Sequence, residues 1–253
     1  HLYFSIDGGQ SWTQWDQGYP TVPTMDLVVH PRDPDLVIGT FGRSIYIMDD
    51  ITALQQATPE VLASDAHLFE PRIATDWLSI RTGGGGGSLI YRGGNPNRDA
   101  AIHYFIGAGM SGDVTLEVTD VTGELSWSET VPAEPGINRV WWNMAFGPGP
   151  EQIARMAEQL ADAIDGFEAQ ASEAQLPQAR ALKARLSGAA GDYAALQRIS
   201  DDMAELAGSS YRFRRPSARG PAAEPGEYLV TMTFQGSTMK SKLVIRPDPM
   251  LEK

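Results

Sequence analysis

The sequence predicts a mainly β protein interrupted by one helical insertion. Three observations carry this. Apolar and alternating runs begin roughly every ten residues over 1–52, and they return over 89–145 and 227–246. The chain holds 26 Gly and 17 Pro, many of them at the ends of those runs, where turns need them. Between the later runs, residues 151–208 contain 16 alanines in 58 positions and no β-rich stretch.

Taken in order, residues 1–6 and 11–15 form a hairpin about Asp7-Gly8-Gly9, where glycine supplies positive φ. A strand over 25–30 ends at Pro31 and Pro34, which cannot continue a ladder. Strands 36–40 and 44–48 pair about Phe41-Gly42-Arg43. Residues 53–57 read as a helical turn, 59–63 as a connector, and 67–69 as a strand stopped before Pro71. The run Gly83 to Gly87 lacks the lysine and following helix of a phosphate loop and reads as linker. Strands 90–92, 101–106, 114–121, 125–131 and 137–144, with a hairpin of 227–235 and 239–246 about Gly236-Ser237, make about seven, the number in a small β-sandwich.

The insertion reads differently. Ile153, Met156, Leu160, Ile164 and Phe167 recur at three and four residues, one stripe of a helix. Leu182 and Leu186 continue it, as do Tyr193, Leu196, Ile199, Met203 and Leu206. Pro150 suits a helix start and Gly208 an end. The expectation is a helical hairpin over 150–208 with two long arms, the first interrupted near Pro177, and the two arms sharing their apolar stripe.

Composition excludes several classes. No apolar run approaches the roughly 18 residues of a membrane helix. A net charge of −12 opposes binding to a phosphate backbone, so no nucleic-acid partner is expected. With no cysteine there is no disulfide, thiol nucleophile or thiolate metal site. A chain that opens at His1, without initiator Met or signal peptide, reads as a mature product or a fragment.

The most informative motif is Ser5-Ile6-Asp7-Gly8-Gly9-Gln10-Ser11-Trp12, which fits the Asp-box pattern at Ser5, Asp7, Gly9, Ser11 and Trp12. Its physics is structural: the carboxylate accepts turn amides, glycine supplies the backbone angle, and the tryptophan is expected to pack beneath the hairpin. The stretch from His30-Pro31-Arg32-Asp33-Pro34-Asp35 through Tyr46-Ile47-Met48-Asp49-Asp50-Ile51 resembles the last propeller blade of large bacterial sortilin-like exoproteins with BNR (Asp-box) repeats, often labelled glycosyl hydrolases. Tyr91-Arg92-Gly93-Gly94-Asn95-Pro96, Pro135-Gly136-Ile137-Asn138-Arg139-Val140-Trp141-Trp142-Asn143, Pro225-Gly226-Glu227-Tyr228 and Arg246-Pro247-Asp248-Pro249 resemble stations of their C-terminal immunoglobulin-like domain. The resemblance implies one or more terminal β-propeller blades over 1–70, a Gly-rich linker over 71–90, and an immunoglobulin-like β-sandwich over 91–253 that carries the helical hairpin.

Candidate chemistry is sparse, and no catalytic, cofactor-binding or metal-binding residue is assigned. Asp49 and Asp50 are adjacent, so strand alternation turns them to opposite faces, and Asp50 reads as a helix N-cap. Asp33 and Asp35 about Pro34 read as a turn, without the oxygen-rich loop that calcium needs. His1, His30, His67 and His103 show no metal-ligand spacing. Arg43 either faces a propeller channel or pins a carbonyl or neighbouring Asp. One of Trp141 and Trp142 is core; the outward one either joins Tyr91, Tyr104 and Trp127 in a sugar platform or packs on the helices. The basic run from Tyr211 to Arg215 is expected to dock on local carboxylates.

The function expected is non-catalytic: the C-terminal portion of a secreted or periplasmic bacterial β-propeller protein, closing the propeller and offering an interaction or scaffold surface. The partner is the N-terminal remainder of the propeller, in the same or a separate chain, or another protein or a glycan. The alternative is part of a glycoside hydrolase whose catalytic residues lie on blades outside this chain. On the blade reading, apolar positions Leu27, Val29, Val37, Ile45 and Ile47 are expected to be left uncovered by the chain itself.

Overall fold

The structure is a computed structural model that describes residues 1–15, 18–78, 95–189, 191–208, 213–216 and 218–251. It is mainly β, with 34% strand and 25% helix among the described residues and a curled, half-barrel-like sheet. The chain divides into two compact units, His1–Met144 with Glu224–Lys253, and Ala145–Ala223.

The first unit opens with a short antiparallel hairpin of β1 (Leu2–Phe4) and β2 (Thr13–Trp15). A three-stranded antiparallel sheet follows, β3 (Thr24–Val29), β4 (Leu36–Thr40) and β5 (Ile45–Met48), with β4 central. Period-two alternation gives this sheet two distinct faces. Leu36 and Ile38 on β4, with Tyr46 and Met48 on β5, cluster with Leu2, Trp15, Tyr19 and Val22. The opposite face carries Val28, Val37 and Ile47 in one cross-strand row, with Ile45 beside it.

Next come α1 (Thr52–Gln56) and α2 (Pro59–Leu62), then β6 (Ala66–Leu68) and β7 (Ala74–Asp76). The connector expected over 59–63 is thus a helical turn, started by Pro59 and capped by the Thr58 hydroxyl, which accepts from the Val61 amide at 3.4 Å. β7 lies inside the stretch read as linker. The glycine run and the strand expected over 90–92 lie outside the described residues.

Six longer strands complete the unit: β8 (Ala100–Ile106), β9 (Asp113–Thr119), β10 (Ser126–Pro132), β11 (Gly136–Trp142), β12 (Gly226–Phe234) and β13 (Ser237–Pro247). They form a five-stranded sheet in the order β10-β9-β12-β13-β7 and a three-stranded sheet in the order β11-β8-β6. Pairing is antiparallel except between β13 and β7. Aromatic rings join the two sheets: Trp142 of β11 meets Tyr228 of β12 at 5.6 Å and Trp127 of β10 at 6.4 Å. All seven residues of β8 are buried. One of its faces contributes Ile102, Tyr104 and Ile106 to the core, and the other is covered where Phe105 packs with Ala53, Ala57 and Phe69. The β12–β13 turn is Gln235-Gly236, with φ of 48° and 80°. Positive φ at both central residues is what a two-residue hairpin of this twist requires.

Among its described residues the second unit holds three helices: α3 (Pro150–Glu168), α4 (Leu176–Gly188) and α5 (Tyr193–Ala207). This corrects the expectation of two long arms. The first arm breaks over 169–175, and Pro177 lies in the first turn of α4, where its missing N–H has no intrahelical acceptor to lose. The stripes named above do meet: Met156, Leu160, Ile164 and Phe167 share one core with Leu182, Leu186, Leu196, Ile199 and Met203. Asp192 caps α5 by accepting from the Ala195 amide at 3.0 Å. At the base of the unit the incoming and outgoing chains pair at Ala145 and Ala222, and the Phe146 amide donates to Pro221 O at 3.0 Å.

Candidate functional site

The Asp-box turn has the geometry its residues imply. Ser5 Oγ donates to Asp7 Oδ1 at 2.8 Å and accepts from the Gly9 amide at 2.8 Å. The Ser11 amide donates to Asp7 Oδ1 at 2.9 Å and its hydroxyl to Oδ2 at 2.6 Å. These bonds, the Ser11 hydroxyl first, hold the Asp7 carboxyl far below the usual carboxylate range. Both oxygens of Asp7 are thus engaged in holding the turn, the structural role expected of it. Trp12 departs from expectation, because it is 63% exposed rather than tucked under the hairpin. The underside is filled instead by Leu2 and Trp15, and Trp15 meets Phe4 edge-on at 5.6 Å.

The acids between Asp33 and Asp50 and the bases Arg72, His103 and Arg246 form a network reaching from the β3–β5 sheet to the larger sheets. Arg246 of β13 donates to Asp33 at 2.6 Å. Burial acts to raise the Asp33 pKa but is outweighed by the hydrogen bonds from Arg32 and Arg246, which leave it lowered. Arg72 donates to Asp35 Oδ1 at 2.9 Å, and the same oxygen accepts from the Asp50 amide at 2.9 Å. The tight turn expected at Pro34 is present, with the Asp35 amide bonded to Asp33 O at 2.7 Å.

Asp50 is the centre of this network, and its expected roles need correction. β5 ends at Met48 and Asp50 adopts φ of 59°, so strand alternation no longer separates it from Asp49. Both acids line one cleft. The N-cap of α1 is Ile51; Asp50 sits one residue earlier, with Oδ1 accepting from the Thr52 amide at 3.1 Å. The Asp50 side chain has no solvent exposure, and Oδ2 has no hydrogen-bond partner. Arg72 Nε lies 3.5 Å from that oxygen and His103 Nδ1 lies 3.8 Å from it.

The cleft encloses about 470 Å³. Trp15, Met48, Leu54 and Ile137 give it apolar walls. Its polar lining is Asp49, Asp50, Asn138 and Arg139, together with His103. Burial pushes the Asp49 carboxyl up, and repulsion from Asp35 adds to it. Burial pushes the His103 imidazole down, offset only partly by the Asp50 charge. His103 and Arg139 are direct cross-strand partners on β8 and β11, a juxtaposition no local spacing in the sequence could reveal.

The other named residues are placed as follows. Arg43 is exposed in the β4–β5 turn and forms no ion pair or side-chain hydrogen bond among the described residues, so it pins neither a carbonyl nor an Asp. Trp142 is fully buried, and Trp141 is half-buried with the Arg139 guanidinium 4.4 Å above its ring. Tyr104 is buried too, so Trp142 and Tyr104 belong to the core and to no sugar platform; Tyr91 lies outside the described residues. Of the basic run, Arg215 pairs with Asp201 at 2.9 Å, a local carboxylate as expected, and Tyr211 and Arg212 lie outside the described residues. No helix among the described residues is long and apolar enough to cross a membrane. No family model, curated protein or solved structure matches the chain.

Proposed function

We propose that this chain is a non-catalytic, C-terminal portion of a secreted β-propeller protein, in which the β3–β5 sheet belongs to a terminal blade and docks on further β-structure. One observation carries the proposal: large aliphatic side chains of that sheet stay exposed, and at β4 and β5 the two faces differ in cover. Propeller blades stack face on face. On the face bearing Ile38 and Tyr46, β4 and β5 are covered by Leu2 and Trp15 of the Asp-box hairpin with Tyr19 and Val22, while Leu27 and Val29 of β3 stay 46% and 47% exposed. The other leaves Val28 50%, Ile45 65% and Ile47 60% exposed, a row of large aliphatic groups of the kind that marks an interface. The free edge of β5 is an opening for one more strand, since a blade normally has four. The immunoglobulin-like reading of the larger sheets rests on their antiparallel strands and their shared aromatic core.

Carboxyl-reactive cross-linking and native mass spectrometry of the protein isolated from its source test this. Asp26, exposed beside the aliphatic row, is expected to cross-link to additional β-rich sequence, in the same or a separate polypeptide. Changing Ile45 and Ile47 together to Lys is expected to abolish that association and leave the helical circular dichroism unchanged. A monomer with no additional sequence bound, in which 1–50 unfolds cooperatively and binds no hydrophobic dye, overturns the assignment.

A further inference from the structure

We propose that the cleft between the Met48–Leu54 segment and β11 is a binding site for a small, neutral, polyhydroxylated molecule. The proposal stands independently of the propeller assignment, because the site is built wholly from residues described here. Its foundation is a pair of buried orphans. Asp50 Oδ2 and His103 Nδ1 are both buried without a hydrogen-bond partner, on side chains that are 0% and 7% exposed. Arg72 offsets the Asp50 charge at 3.5 Å but leaves Oδ2 without a hydrogen bond, and native structures rarely leave buried polar atoms so without a ligand, water or functional reason.

Geometry limits what can satisfy them. At 3.8 Å the two atoms are too far apart to bond each other. One oxygen set beside the line between them reaches both at ordinary hydrogen-bond length. In the tautomer that carries its proton on Nδ1, that group must donate to the carboxylate and accept from the imidazole, and a hydroxyl does both. Farther out, Asp49 offers a second carboxylate with no hydrogen bond among the described residues, and Arg139 offers guanidinium N–H donors. The polar side therefore offers both acceptors and donors, as the hydroxyls of a polyol require. Trp15, Met48, Leu54 and Ile137 present an apolar wall suited to its C–H faces. Three acids, Asp35, Asp49 and Asp50, face two cations, Arg72 and Arg139, and Arg72 is already held by Asp35 and Asp50; the surplus of carboxylates disfavours an anionic ligand. A metal ion is a poor fit as well, since no group of three or more His, Asp or Glu among the described residues is placed to hold one.

The test is titration of the full chain with D-glucose, myo-inositol and sucrose, with sodium phosphate and ethylammonium chloride as anionic and cationic probes. The part of the tryptophan fluorescence lost in Trp15→Phe reports on Trp15, and the imidazole nitrogen resonances lost in His103→Gln report on His103, among six tryptophans and four histidines. At least one polyol is expected to saturate with a Kd of about 1 mM or tighter, within reach of a few hydrogen bonds and one aromatic contact, and to shift His103. Asp49→Asn and, separately, Arg139→Gln are expected to weaken that binding about tenfold, one hydrogen bond to a charged group in each case. Both positions are on the rim, and near-ultraviolet circular dichroism verifies that each variant folds. Absence of saturation by all three polyols overturns the proposal, as does binding that neither variant alters. Preference for phosphate or ethylammonium overturns it too, and so does a crystal soaked in polyol that shows only an ordered water between Asp50 and His103.

Discussion

Leu160 in α3 is the position at which the packing of the helical unit is most directly measured. It has no exposed surface and sits among Met156, Ile164, Leu182, Leu196, Ile199 and Met203, so side chains of all three helices surround it. Leu160→Ala removes three carbons; at about 0.8 kcal/mol each, the lost transfer free energy is about 2.4 kcal/mol. A residual void of about 50 Å³ adds about 1.2 kcal/mol at ~24 cal/mol per Å³. The expected destabilisation is therefore about 3–4 kcal/mol. The assay is urea unfolding of the full chain followed at 222 nm, a signal dominated by α3, α4 and α5 because α1 and α2 have five and four residues. Glu158→Ala, two residues away on the opposite, exposed face of α3, is the control and is expected to change stability by less than about 0.5 kcal/mol. A loss below about 1 kcal/mol at Leu160, or equal losses at the two positions, would refute the shared three-helix core.

Asp7→Asn is expected to lower Tm in proportion to the turn bonds it weakens, and to flatten the acid limb of the stability curve. The folded pKa is depressed, so the stabilisation is complete above the usual carboxylate range and fades as pH falls through the folded value. The histidines act in the same pH direction for the opposite chemical reason: His67 and His103 are pushed below their ordinary value by burial, so the unfolded chain takes up the proton first. Stability contributed by these residues is expected to be full above about pH 6.5 and to decline below it; an unchanged Tm between pH 7.5 and 5.5, with His67→Gln as control, contradicts this. Gly220→Ala would place Cβ 2.1 Å from Gly147 O at the neck of the helical unit, and is expected to destabilise by about 1–3 kcal/mol in the same urea assay.

The sequence by itself determined what depends on near neighbours. Turn chemistry located β4 and the β12–β13 hairpin closely, because Gly236 and the proline pair at 31 and 34 act within a few residues. The 3.6-residue period placed the helical stripes, since one face of a helix is written locally. The Asp box is also local, with its bonds spanning at most four residues. Tertiary structure decided the rest. Three helices formed where two arms were expected, because Pro177 can open a helix as readily as interrupt one, and only packing distinguishes the cases. Trp12 faces solvent because Leu2 and Trp15 already fill the space beneath the hairpin. The cleft was not legible at all. Asp50 lies 53 residues from His103 and 22 from Arg72, and His103 lies 36 from Arg139. They meet because β8 pairs with β11 and because the positive φ at Asp50 turns its carboxylate inward, and neither fact follows from local propensity or spacing.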